Sequence, residues 1–244
     1  MAFSLFAALA WSKEDEVTPY RPSISNPAEL PTPGRLELEF GGQHTKDSGT
    51  RDDSLPYLLK LAFTKEWGIL LGGDAYVWSR DEQGVREHGF GDTTITLKRS
   101  FMLHDQTGFG LEFGAKAPTA KKAVGVGKPE YTLNGIYSQD FGRIHMDANL
   151  NTTRIGNVEP GTSRMQKGLS AAFSSEVSNS WSGTAEVSSI YRKGTPTDTQ
   201  LLAAAVYSPN KRYAIDIGIS KGLTKSSQDW SIFSGFVIPV GKLW

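Results

Sequence analysis

The chain has no cysteine among its 244 residues. That absence excludes disulfides, thiolate metal sites and a cysteine nucleophile, and it is compatible with an oxidising compartment. No window approaches the roughly 18 consecutive apolar residues of a transmembrane helix, so a helical membrane protein is not expected. An excess of one charge is missing too: 26 Lys+Arg balance 26 Asp+Glu. With no basic run or patch visible along the chain, nucleic acid is set aside as a partner. Four histidines and no cysteine offer no metal constellation, and no cofactor is expected. Apolar residues at helical spacing are almost absent as well.

Glycine, by contrast, is plentiful: 26 residues, above the usual share of about 7%, which suits tight turns and sheets. The first ten residues, MAFSLFAALA, have an apolar stretch ending in a small-x-small pattern and read as a truncated signal peptide. Residues 11–34 hold Pro19, Pro22, Pro27, Pro31 and Pro33 in a polar background, which predicts an extended N-terminal arm without regular structure.

From residue 35 to 244 the chain alternates in polarity. Leu36, Leu38 and Phe40 alternate with Glu37 and Glu39, and Tyr57, Leu59 and Leu61 with Lys60. Trp67, Ile69, Leu71, Ala75 and Val77 share one phase, and Ile95, Leu97 and Phe101 oppose Thr94, Thr96 and Lys98. The pattern continues through Phe109–Lys116, Ile144–Asn151, Leu169–Val177, Trp181–Arg192, Tyr213–Ile219 and Trp230–Val240. Two segments, Tyr131–Tyr137 and Leu201–Tyr207, are strand-like but ambiguous in phase. The count is about twelve strands, and short links alternate with longer polar ones such as Gln43 to Ser54 and Arg80 to Gly89. That sorting of links by parity predicts an all-β fold, a single antiparallel transmembrane β-barrel with short periplasmic turns and longer extracellular loops. A soluble sandwich has no reason to sort its loops. Aromatics near segment ends, among them Phe40, Trp67, Phe101, Phe109, Trp181, Tyr191, Tyr213 and Trp230, suit girdles at two membrane interfaces. The ending FVIPVGKLW resembles the C-terminal strand signal read by the outer-membrane assembly machinery, a partner expected alongside outer-membrane lipid and a small-molecule solute.

On these residues a resemblance rests. GFGDTTITLKRSF, from Gly89 to Phe101, and the lead RPSISNPAELPTPGRLELEFGG resemble the outer-membrane family named after the meta-pathway of phenol degradation, commonly labelled transporters. The resemblance implies a barrel integral to the bacterial outer membrane, with the arm and the C-terminus on the periplasmic side. It also implies a channel for small solutes, hydrophobic or aromatic ones among them. Asn26-Pro27-Ala28 resembles a motif in the N-terminal plug of long-chain fatty-acid and aromatic-hydrocarbon channels, which implies that the arm folds into the lumen as a gate; a loose periplasmic leader is the alternative.

The polar phase of a closed barrel is free to line its interior. The expected lining is Glu37, Glu39, Lys60, Asp74, Asp92, Thr94, Thr96, Lys98, Glu112, Lys116, His145, Asp147, Asn149, Glu176, Glu186, Arg192 and Asp216. These residues either fill a narrow lumen with paired charges or border a restricted aqueous path. Two rival functions stand beside the channel. One is a structural or adhesive barrel. The other is a barrel-embedded lipid hydrolase built on His145, Asn149 and Ser138 or Ser170, which a lumen-facing histidine disfavours; no enzyme is expected.

Overall fold

The computed structural model describes residues 16–104, 106–121 and 124–244. The signal-peptide reading of residues 1–10 and the first residues of the arm, 11–15, lie outside them. After the arm come β1 (Arg35–Asp47), β2 (Thr50–Ala62), β3 (Trp67–Arg80), β4 (Arg86–Gly89) and β5 (Thr93–His104). Next are β6 (Thr107–Ala117), β7 (Glu130–Phe141), β8 (Ile144–Arg154) and β9 (Met165–Ser178). The chain finishes with β10 (Trp181–Arg192), β11 (Asp198–Tyr207), β12 (Ala214–Gly222) and β13 (Trp230–Lys242). All pairings are antiparallel, and β1 pairs with both β2 and β13, which closes the sheet. Closure leaves the wall no free edge, so its backbone groups find partners within it except where a ladder is interrupted. The four-residue β4 pairs only with the end of β3 and stands above the barrel, while β5 takes the place beside β3 in the wall. Twelve of the thirteen strands therefore build the barrel.

Side chains alternate as the sequence phase requires, with the usual sense of burial reversed. Leu150, Leu169 and Ile217 are 65%, 60% and 55% exposed on the outer face, whereas Glu37, Lys60 and Lys98 are 0% exposed inside. An apolar exterior around a charged interior is stable only with lipid outside. The two ambiguous segments resolve: β7 turns Asn134, Ile136 and Ser138 inward, and β11 turns Leu202 and Val206 inward. At one end of the barrel the links are short, as at Gly142–Arg143 and Asn179–Ser180; at the other they are mostly longer.

Two sequence expectations need correction. Gln43 to Ser54 is not a loop: β1 and β2 continue as a paired ribbon to a turn at Ser48-Gly49, both at positive φ, 46° and 97°. Polar residues on both faces made this stretch read as a loop, but the ladder and a twist-matched turn hold it as strand. Val77 does not share the outer phase of Ile69 and Leu71. A bulge between Ser54 and Pro56 pairs Ser54 with Val77 and Pro56 with Asp74, so parity reverses beyond Asp74 and Trp78 faces outward.

Candidate functional site

The arm runs inside the barrel, and the wall's carboxylates hold its backbone. Thr18 donates its N–H to Glu37 at 3.1 Å; Tyr20 and Arg21 donate theirs to Glu39 at 2.7 and 3.1 Å. Ile24 and Ser25 each donate an N–H to Glu186 at 2.7 Å, and the Ser25 hydroxyl adds a third bond at 2.6 Å. Asn26 donates its side-chain amide to Glu112 at 3.0 Å and its N–H to Asn149 Oδ1 at 3.0 Å. Ala28 donates to Ser138 Oγ at 2.8 Å. Arg21 forks onto Asp216 with two bonds of 2.9 Å, the bidentate geometry that makes such pairs strong. The prolines explain why this chain is no strand: Pro19, Pro22 and Pro27 carry no N–H, and the donors between them reach side chains instead of a ladder.

Both buried lysines of this section are paired with carboxylates, while Glu186 is met by N–H and hydroxyl donors alone. Lys60 lies 2.6 Å from Glu39 and 3.1 Å from Glu37, and Lys98 lies 3.1 Å from Glu112. Both lysines also donate to arm carbonyls, Lys60 to Thr18 and Lys98 to Pro27. Their ammonium groups sit 4.5 and 4.3 Å from the centre of the Tyr20 ring, a cation–π arrangement that gains from desolvation. Burial holds the Tyr20 hydroxyl well above its ordinary range, with Glu112 and Glu39 adding to the effect. It therefore stays a donor, to the Glu29 carbonyl at 2.7 Å. Bare backbone makes room for the arm at two places: a Cβ on Gly235 would stand 2.5 Å from Arg21 Nε, and one on Gly68 would stand 2.7 Å from a Leu30 methyl.

Of the expected lining, Glu37, Glu39, Lys60, Lys98, Glu112, Asn149, Glu186 and Asp216 thus meet the arm, and Asp147 accepts from Ser138, which itself accepts from Ala28. Asp74, Thr94 and Thr96 are half-buried nearer the long loops. Asp92 holds a loop, accepting from Ala120 at 2.9 Å and Val126 at 2.6 Å. Lys116 stands 3.6 Å from Glu130. Glu176 is exposed where β9 meets its short turn, beside a bulge, and Arg192 is half-buried at the loop end. Sequence reasoning left Arg21, Ser25, Asn134, Ser138 and Ser170 out of the lining, the two wall serines entering only as hydrolase candidates. The last four are small or neutral and carried no charge signal, and the phase of β7 could not be read. The hydrolase constellation does not form. His145 is bonded to Asp140 at 2.5 Å and Asp147 at 3.2 Å, Ser170 to Ser25, and Asn149 to Asn26 and Asn134.

One stretch of wall is thin. The β1–β2 ladder runs from Leu36 to Phe40 and resumes at Gln43, leaving Gly41 and Gly42 beside Leu55 and Pro56 without pairing. Pro56 has no N–H to give. Inside this gap lies a cavity of about 170 Å3 bordered by Tyr20, Arg21, Pro56 and Leu58. Outside it lies a groove of about 530 Å3 bordered by Phe40, Leu55, Ile215 and Phe236.

With this geometry in view, the comparisons are informative. Residues 21–239 match the family described as "Putative MetA-pathway of phenol degradation". The fold is similar to the crystal structure of the COG4313 outer membrane channel from Pseudomonas putida F1, at 15% identity and TM-score 0.68, covering 92% of this chain and 100% of that one. It is also similar to the KdgM porin (10% identity, 83% and 98% covered, TM-score 0.58) and to the CymD monoaromatic hydrocarbon channel (10% identity, 84% and 88% covered, TM-score 0.54). No curated protein matches the sequence. The architecture is that of outer-membrane channels and porins.

Proposed function

We propose that this chain, which belongs to the MetA-pathway phenol-degradation family, is a gated channel of the bacterial outer membrane for small solutes, hydrophobic or aromatic ones among them. Its short turns, arm and C-terminus face the periplasm and its long loops face outward. The observation that carries the reading is the arm itself. Five wall carboxylates, Glu37, Glu39, Glu112, Glu186 and Asp216, bond it across the lumen, so solute passes only when the arm shifts. A structural barrel gains nothing from so many buried acceptors facing one movable segment, since an apolar filling holds a core at lower desolvation cost. Proteoliposome swelling tests the reading. Phenol, toluene or an alkanol is expected to enter faster than a sugar of similar size; swelling equal to that of empty liposomes for every solute supports a scaffold instead.

A second route is favoured by the thin stretch of wall. Apolar solutes leave sideways into lipid between Gly41-Gly42 and Leu55-Pro56, where the β1–β2 ladder is interrupted and an outer groove borders Gly41, Gly42 and Leu55. Bridging the gap with cysteines at Gly42 and Leu55 is expected to slow toluene entry and leave sugar entry unchanged. Equal rates before and after reduction of the bridge reject the sideways route while leaving the gated lumen untouched.

A further inference from the structure

The strand register assembles a basic row that no stretch of sequence displays. On the outer face of the loop end, Lys46 of β1 is paired with Arg51 of β2, Arg51 with Arg80 of β3, and Arg80 with Arg86 of β4. On the other side Lys46 pairs with Trp230, and Trp230 with Lys221 of β12. The outward sense follows from parity: Arg51 and Arg80 lie two residues beyond Asp53 and Trp78, which are themselves a pair on the outer face, and all four are exposed. At about 4.8 Å between strands the first four cations span roughly 14 Å.

Like charges directly opposite one another destabilise a sheet, and here three such pairs follow in sequence. Among the described residues no ion pair joins any of these five side chains to a carboxylate. Two neighbouring acids are engaged elsewhere: Asp53 holds His44 at 2.7 Å, and Asp81 accepts from the Val85 N–H at 2.8 Å. One tier nearer the apolar belt, the same strands carry His44, Trp78 and His88, with the Trp230 ring tilted against His44 at 5.3 Å and Tyr76 against Trp78 at 4.6 Å. Aromatics of this kind sit at the headgroup level of a bilayer. Ile232 is paired with His44 on that same tier, and below it come the apolar residues Leu59, Ile69 and Leu71, positioned for acyl chains.

Anion-binding groups above, interfacial rings between and apolar wall below describe the shape of one ligand class. We infer that this face binds a phosphorylated glycolipid of the outer leaflet, its phosphates against the Lys46–Arg86 row and its acyl chains along β1 to β3. The inference rests on the orientation proposed above, with the long loops outward.

Two measurements on the full-length barrel separate the claims. A Ser48→Cys variant in intact cells is expected to react with a membrane-impermeant maleimide; no labelling overturns the orientation and the inference with it. Given labelling, native mass spectrometry of the detergent-solubilised barrel with bisphosphorylated lipid A, its dephosphorylated form, phosphatidylglycerol and inorganic phosphate tests the site. Bisphosphorylated lipid A is expected to bind most tightly. The R51Q/R80Q/R86Q variant, still heat-modifiable on a denaturing gel and so still a folded barrel, is expected to lose roughly a hundred-fold in that affinity. Equal binding of the two lipid A forms, equal binding of phosphatidylglycerol, or unchanged binding by the variant overturns the assignment. If the triple variant does not fold, single R80Q carries the same test with roughly a five-fold loss.

Discussion

The lumen has two sections that differ in what their polar groups do. In the arm-filled section Glu37, Glu39, Glu112, Glu186 and Asp216 are almost completely buried, and each accepts from the arm. Toward the long loops Asp74, Thr94, Thr96 and Lys116 are only half-buried, and the bonds of Asp92 run to a loop instead of across the lumen. The difference teaches that charge in this barrel has two uses. Where it is fully buried it fixes one segment in one place; where it is half-buried, toward the long loops, it does not meet the arm.

Removing the arm gives the largest contrast. Deleting residues 12–31 is expected to raise single-channel conductance several-fold, because the lumen then loses the segment bonded across it; conductance equal to the full chain erases the distinction between the sections. Next, Glu186→Ala withdraws the acceptor of three arm bonds. Leaving two buried N–H groups unmet costs about 2–4 kcal/mol, and the arm should become cleavable by protease in folded, detergent-solubilised protein. Arg21→Lys should act more mildly, since it keeps a charge facing Asp216 and leaves the arm's backbone bonds in place. It weakens the Asp216 fork and raises open probability without exposing the arm to protease. The smallest effect belongs to the half-buried section: Thr96→Val should change stability by no more than about 0.5 kcal/mol and leave the closed state intact, altering only the relative swelling rates of polar and apolar solutes.

Much of this was legible beforehand because a barrel wall has a strict period of two. Glu37 and Glu39 alternate with leucine and phenylalanine, Lys60 stands between Leu59 and Leu61, and Asp216 between Ile215 and Ile217, so phase alone assigns them to a face. Legibility failed where phase did. The bulge at Ser54–Pro56 shifts parity by one residue without any local polarity signal, which is why Val77 was assigned to the outer face. In β7 both phases mix polar and apolar residues, which hid Asn134 and Ser138. The arm's prolines announced extended chain, but its destination depended on matching single N–H groups to carboxylates up to 162 residues away. The basic row was invisible for a related reason. Lys46, Arg51, Arg80 and Arg86 are scattered in sequence, so a search along the chain found no patch; register alone brings them together.

If the arm closes the lumen by its bonds to the wall, locking it in place holds the channel shut. The Ser25 and Ser170 hydroxyl oxygens lie 2.8 Å apart, near enough for cysteines at both positions to form a disulfide, and no native cysteine competes. Single-channel recording of the S25C/S170C variant in a planar bilayer should show a closed channel when oxidised and wild-type conductance on addition of a reductant. Identical conductance in the two states, with the disulfide confirmed by mass, would contradict that closure.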